Sequence, residues 1–109
     1  SRSIRNEVPK DHWDRLTEHQ QCAITECLHE MVVHYGALAK PAEYVVTMSA
    51  TPSHLRIDIT AQTHSAEEVF PFTFACLTRA QQANLSLQQT PEEYGLQVTA
   101  SATVGKART

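Results

Sequence analysis

The sequence predicts an α+β fold: a two-layer sandwich with helices on one face of a mostly antiparallel sheet, in the order α-β-β-α-β-β. Three observations carry this. Residues 17–36 place apolar side chains at 3-4-3-4 spacing, the period of a single buried helix face. Residues 43–50, 54–62 and 96–104 are rich in β-branched residues or alternate with a period of two, the mark of strands with one buried side. A second helical stretch separates the strand pairs, so helices and strands must share one core.

Taken in order, residues 1–8 are polar and read as a flexible lead-in ending at Pro9. "KDHWDRLTEHQ" makes a short helix or the opening of a longer one, anchored by Trp13 and Leu16. Thr17 followed by Gln20 fits a capping box, which starts the main helix over about 17–36. Ile24, Cys27, Leu28, Met31, Tyr35 and Leu38 then form its core stripe, and Gly36 supplies its C-terminal cap. Beyond Pro41, "EYVVTMSA" and "HLRIDITAQ" form an antiparallel hairpin about the turn residues "TPS". In "HSAEEVFPFTFACLTRAQQAN", Ser65 with Glu68 resembles a helix cap, while Phe70, Phe72, Phe74 and Cys76 alternate like a strand. Proline is tolerated in a first helical turn, so a helix from about Pro71 to Asn84 reconciles the signals and turns Phe72, Cys76, Leu77 and Ala80 inward. "LSLQ" is a brief strand, "TPEEYG" a break, "LQVTASATV" the final half-buried strand, and "GKART" a flexible tail.

The totals exclude several functions. A chain of 109 residues, 41% hydrophobic, closes one core and one domain. Nine basic against twelve acidic residues, with no run of Lys or Arg, provide too few cations for a phosphate-tracking surface, so no nucleic-acid partner is expected. No apolar run approaches the roughly 20 residues that span a bilayer. No membrane association is expected, and a cytoplasmic, soluble protein is. Three cysteines without a CxxC do not make a disulfide framework.

The chemistry-bearing residues gather on one helix. Opposite the core stripe, His19, Cys22, Glu26, His29 and Glu30 fall within one polar arc, with His34 at its margin. Glu26-x-x-His29 is half of a metal site where a facing helix completes it, but no second Glu-x-x-His, HExxH or CxxC exists in the chain, so no metal is assigned. Cys27 and Cys76 lie on core stripes, where thiols are inert. Cys22 is more exposed, but no helix N-terminus activates it, so no catalytic residue is assigned either. Glu67 with Glu68 and Glu92 with Glu93 read as first-turn helix residues after caps. Only three glycines occur, and none builds a phosphate cradle, so no cofactor is expected. With six histidines in the chain, protonation of His19, His29 and His34 or oxidation of Cys22 would make this face a switch.

"AITECLHEMVVHYG" resembles the first motif helix of GHKL ATPase domains, as in histidine kinases and anti-sigma-factor kinases. The family pattern is Ala-x-x-Glu-x-x-x-Asn-x-x-x-His. Ala23, Glu26 and His34 match it, and Glu30 stands where the family has its metal-binding Asn. The following strand pair, helix and closing hairpin keep the family order from about Gln20 to Val104. The resemblance implies that this helix face looks at ATP and that Glu26 is the general base of a kinase. The departures are specific. The Asp-x-Gly expected after the second strand is replaced by "TAQTHS", the Gly-rich lid and Gly-x-Gly-Leu are missing, and a carboxylate at Glu30 repels phosphates. The expectation is therefore a degenerate GHKL-type domain: a non-catalytic protein-binding or regulatory module whose face of His19, Cys22, Glu26, His29, Glu30 and His34 meets another protein or its own copies. The alternatives are an ATP-dependent kinase or metal-dependent enzyme using that face, and a small self-assembling structural domain.

Overall fold

The computed structural model describes residues 3–40 and 42–104; the "GKART" tail lies outside them. The elements are β1 (Ser3–Glu7), α1 (Lys10–Trp13), α2 (Glu18–Ala37), β2 (Glu43–Ala50), β3 (His54–Gln62), α3 (Phe74–Gln82), β4 (Ser86–Glu92) and β5 (Gly95–Thr103). From α2 onward the order is the expected α-β-β-α-β-β. Ahead of it, Ser3–Glu7 form a strand where a flexible lead-in was expected. β1 lies parallel to β2, with Ser3 opposite Glu43 and Glu7 opposite Thr47. All five of its residues are exposed, so no buried alternation marks it in the sequence; backbone pairing along the β2 edge holds it.

One five-stranded sheet runs β1-β2-β3-β5-β4, antiparallel at every pairing except β1 with β2. The central register stacks apolar rows across three strands: Tyr44, Ala61 and Leu96; Val46, Ile59 and Val98; Met48, Ile57 and Ala100. All nine are buried beneath the helices. The opposite face is polar, with Thr47, Asp58 and Thr99 in one row. There Asp58 accepts hydrogen bonds from Gln97 (2.8 Å), Thr99 (2.6 Å) and Arg56 (3.1 Å). Burial pushes its carboxyl up, but the bonds from Thr99, Gln97 and Arg56 outweigh that and hold it below the usual range.

The capping box starts α2 as its sequence requires: Thr17 Oγ1 accepts from Gln20 N–H (3.1 Å), and Gln20 Oε1 accepts from Thr17 N–H (3.0 Å). Ile24, Cys27, Met31 and Tyr35 enter the core, joined by Ala23 and Val32. Leu28 is only partly buried, flooring a groove of about 350 Å³ against Ile4, Val8 and Trp13, and Leu38 is 53% exposed because it follows the last helical turn. Gly36 does not cap the helix. The chain stays helical through Ala37, Ala39 takes the left-handed conformation (φ 53°), and Lys40 N–H returns to the Tyr35 carbonyl (3.0 Å).

The middle segment departs most from expectation. Ser65 and Glu68 cap nothing, since residues 63–73 contain no helix. Glu67 instead accepts from Lys40 (2.8 Å), and Glu92 and Glu93 lie at the β4–β5 turn rather than in a helical first turn. Pro71 sits at a tight turn in which Phe72 N–H bonds to the Phe70 carbonyl (3.0 Å), and Phe70 and Phe72 are buried with their rings in tilted contact (4.6 Å). Thr73 is the true cap of α3, accepting from Cys76 N–H (3.1 Å), which leaves Phe74 84% and Leu77 45% exposed. Asn84 (φ 58°) closes the helix, and Leu85 N–H bonds to the Ala80 carbonyl (2.9 Å). At the β4–β5 turn Gly95 is obligatory: its φ is 140°, and a Cβ there would stand 1.9 Å from the Ala61 carbonyl oxygen.

Candidate functional site

α3 lies antiparallel along the polar side of α2, and the contacts form a ladder. Gln20, buried in α2's first turn, donates to the Ala83 carbonyl at the far end of α3 (3.1 Å). Further along α2, Glu26 pairs with Arg79. Cys27 Sγ meets Cys76 Sγ at 3.5 Å. Glu30 then receives the start of α3, accepting from Thr73 N–H (2.9 Å) and Thr73 Oγ1–H (2.7 Å). Thr73 thus works in two directions: its hydroxyl oxygen caps Cys76 N–H while its proton goes to Glu30. The result is a carboxylate held against the positive end of a helix, an arrangement favoured by the orphan donors and the dipole there.

The six residues expected to form one open face therefore divide. Glu26 and Glu30 face α3 and are spent on Arg79 and Thr73, and His34 packs edge-on to Phe70 (5.0 Å) and Tyr35 (5.6 Å). His19, Cys22 and His29 stay exposed, with Val33 beside them at 53%. Sequence reasoning missed Thr73, Arg79 and Gln20 as members of the cluster. Thr73 carried a signal, a cap residue directly before a helical run, that the proline two positions earlier obscured.

Burial pushes the Cys27 thiol well above its ordinary range and raises that of Cys76 as well, as expected of core thiols. Ligand atoms of Glu26, Glu30 and Cys76 lie within 4.8 Å of one another, the one such grouping among the described residues. A cation there would have to displace Arg79 and compete with Thr73 for the same oxygens, so the donor set is already committed to holding α3. Among the described residues no helix is long and apolar enough to cross a membrane.

Helices on one face of a mixed sheet, with this order of elements, make a fold similar to that of solved histidine kinase domains. The histidine kinase domain of the E. coli osmosensor EnvZ superposes with a TM-score of 0.67 at 13% identity, over 98% of this chain and 78% of that one. The blue-light activated histidine kinase of Erythrobacter litoralis matches at 0.64 and 11% identity, over 93% of this chain and 35% of its own, and a bacterial phosphotransferase at 0.60 and 16%, over 92% and 55%. The chain thus spans about a third to a half of the length of those last two proteins. No protein-family model and no curated protein matches the sequence.

Proposed function

We propose that this chain is a non-catalytic regulatory module on the histidine-kinase ATPase fold, acting through protein–protein contact rather than nucleotide turnover. The observation that carries the reading is the Glu30 carboxylate seated on the Thr73 cap of α3. In the resembling family the equivalent helix face looks at ATP. Here it looks at the chain's own third helix, and the anion at the helix start is a side chain. A triphosphate would have to displace a carboxylate bonded twice to Thr73 and would meet its charge at close range.

The partner in this reading is another protein, or a second copy of the chain, in the cytoplasm. The exposed strip of α2, His19, Cys22, His29 and Val33, is the remaining open part of the expected face, and Phe74 and Leu77 add apolar surface on α3. Such exposed aromatic and aliphatic side chains are the usual anchors of protein contacts.

Thermal unfolding with and without Mg-ATP tests the nucleotide half of the proposal. A ligand at a hundred times its Kd stabilises a fold by about 2.7 kcal/mol, which moves the melting point by several degrees. No shift is expected, and a saturable one would overturn the reading in favour of an ATP-dependent enzyme. A Zn²⁺ arm tests metal dependence, the alternative that the Glu26, Glu30 and Cys76 grouping raises: a shift lost in Cys76→Ser would replace the proposal. Light scattering with Val33→Asp and Phe74→Asp, followed by capture from the native cell, tests the surface. Binding that survives both substitutions removes it.

A further inference from the structure

The ladder between α2 and α3 contains one contact that neither the fold nor the proposed docking role explains: two thiols touching. We propose that Cys27 and Cys76 are an oxidative modification site, a pair that closes to a disulfide and fastens α3 onto α2. The sulfurs lie 3.5 Å apart, and each residue is 1% exposed. A disulfide needs about 2.05 Å, so closure asks for an approach of roughly 1.5 Å, within reach of small χ adjustments on both sides. The backbones are already held in place. Glu26 with Arg79 and Glu30 with Thr73 flank the pair, and Gln20 fixes the far end at Ala83. The two cysteines are 49 residues apart in sequence, so their bond would close a long loop. Cys22, the third cysteine, is on the exposed side of α2, away from this seam.

A low-molecular-weight disulfide is the oxidant. The thiolate of one cysteine attacks one oxidant sulfur, forming a mixed disulfide and expelling a small thiolate. The second cysteine's thiolate then attacks the protein-side sulfur of that mixed disulfide and expels the other small thiolate. Both protein protons end on the two released thiols, and the oxidant's S–S bond takes up the two electrons. Burial lifts both thiols, so attack begins when α3 opens locally and the bond then holds the closed state.

The test uses the full chain with Cys22→Ser, which leaves both buried thiols intact. The protein is equilibrated in glutathione redox buffers, native or in urea, quenched with an alkylating reagent in denaturant, and weighed intact. The native protein is expected to become lighter by two hydrogen atoms, to take up no alkylating group, and to yield a linked Cys27–Cys76 peptide. By linkage, the equilibrium constant for oxidation should exceed that in urea by the factor with which the bond stabilises the fold. For a loop of this length that is about 30-fold to about 1,000-fold. A ratio near or below one, a persistent glutathione adduct on either residue, or linkage only between separate chains would overturn the proposal. No core variant is needed, so misfolding cannot mimic the result.

Discussion

Replacing Glu30 by alanine tests whether an acidic side chain holds α3 in place. The substitution strips two acceptors from the start of α3, at 2.9 Å from Thr73 N–H and 2.7 Å from Thr73 Oγ1–H. A hydrogen bond to a charged group contributes about 1.5–3 kcal/mol when well buried, and the dipole at a helix N-terminus adds about 0.3–1 kcal/mol. Glu30 is only partly buried, which places the combined loss near the bottom of that range, at about 2 kcal/mol. One effect opposes it. Glu26 and Glu30 are like charges four residues apart, and relieving them returns about 0.2–0.5 kcal/mol. Arg79 already neutralises Glu26, so even that return is reduced, and the loss wins. Urea unfolding followed by circular dichroism should show the midpoint falling at an unchanged slope. The melting point should drop by about 8 °C or more. Glu30→Gln keeps one acceptor and should lose about half as much. In a double-mutant cycle with Thr73→Ala the two losses should fall short of additivity by about 1 kcal/mol. A Glu30→Ala protein within about 0.5 kcal/mol of the wild type would show that the carboxylate is incidental to α3, and the basis for the proposed function would go with it.

Three further outcomes follow from other parts of the fold. Asp58 binds its proton less readily folded than unfolded, so it stabilises the fold above the ordinary carboxylate range and loses that contribution as pH falls through its lowered value. Acid titration of the urea midpoint should therefore fall less steeply in Asp58→Asn than in the wild type, and parallel curves would contradict the assignment. Gly95→Ala combines a φ of 140° with a Cβ placed 1.9 Å from the Ala61 carbonyl oxygen. It should cost at least about 2–3 kcal/mol in urea unfolding, whereas a near-neutral change would mean that the β4–β5 turn is not built this way. Thr17→Ala removes one half of the α2 capping box and should cost about 1 kcal/mol by the same measurement; no loss would mean that Gln20 holds the helix start alone.

What the sequence made legible, and what it hid, follows from how local each signal is. α2, the β2–β3 hairpin and β5 are written in periodicity, because each has one face against the core and repeats that fact every two or three to four residues. β1 buries no residue, and its exposed residues carry no period, so only pairing with β2 reveals it. The start of α3 falls three residues beyond the expected Pro71 because Pro71 and the Thr73 cap are both acceptable openers, and the choice is made by Glu30, 43 residues away. A helical wheel could say which side of α2 was polar, but it could not say what would cover it.

That last gap bears directly on function. The polar arc of α2 is dense in groups that ligate, titrate or bind phosphate, and read alone it looks like an open site. Its two carboxylates are instead answered from within the chain, by an arginine 53 residues along and a threonine 43 along. Glu30 matters here because a carboxylate is acceptor-only, whereas an Asn side chain also carries two donors. The Thr73 N–H and O–H are the donors it meets, and they are satisfied without any ligand. Placing Asn at position 30 would supply amide donors, but it would not supply the Asp-x-Gly that the resemblance calls for after Ile59. Glu30→Asn alone should consequently loosen α3 without creating Mg-ATP binding. A gain of nucleotide binding from that one change would mean that the remainder of a working site is still present in this chain.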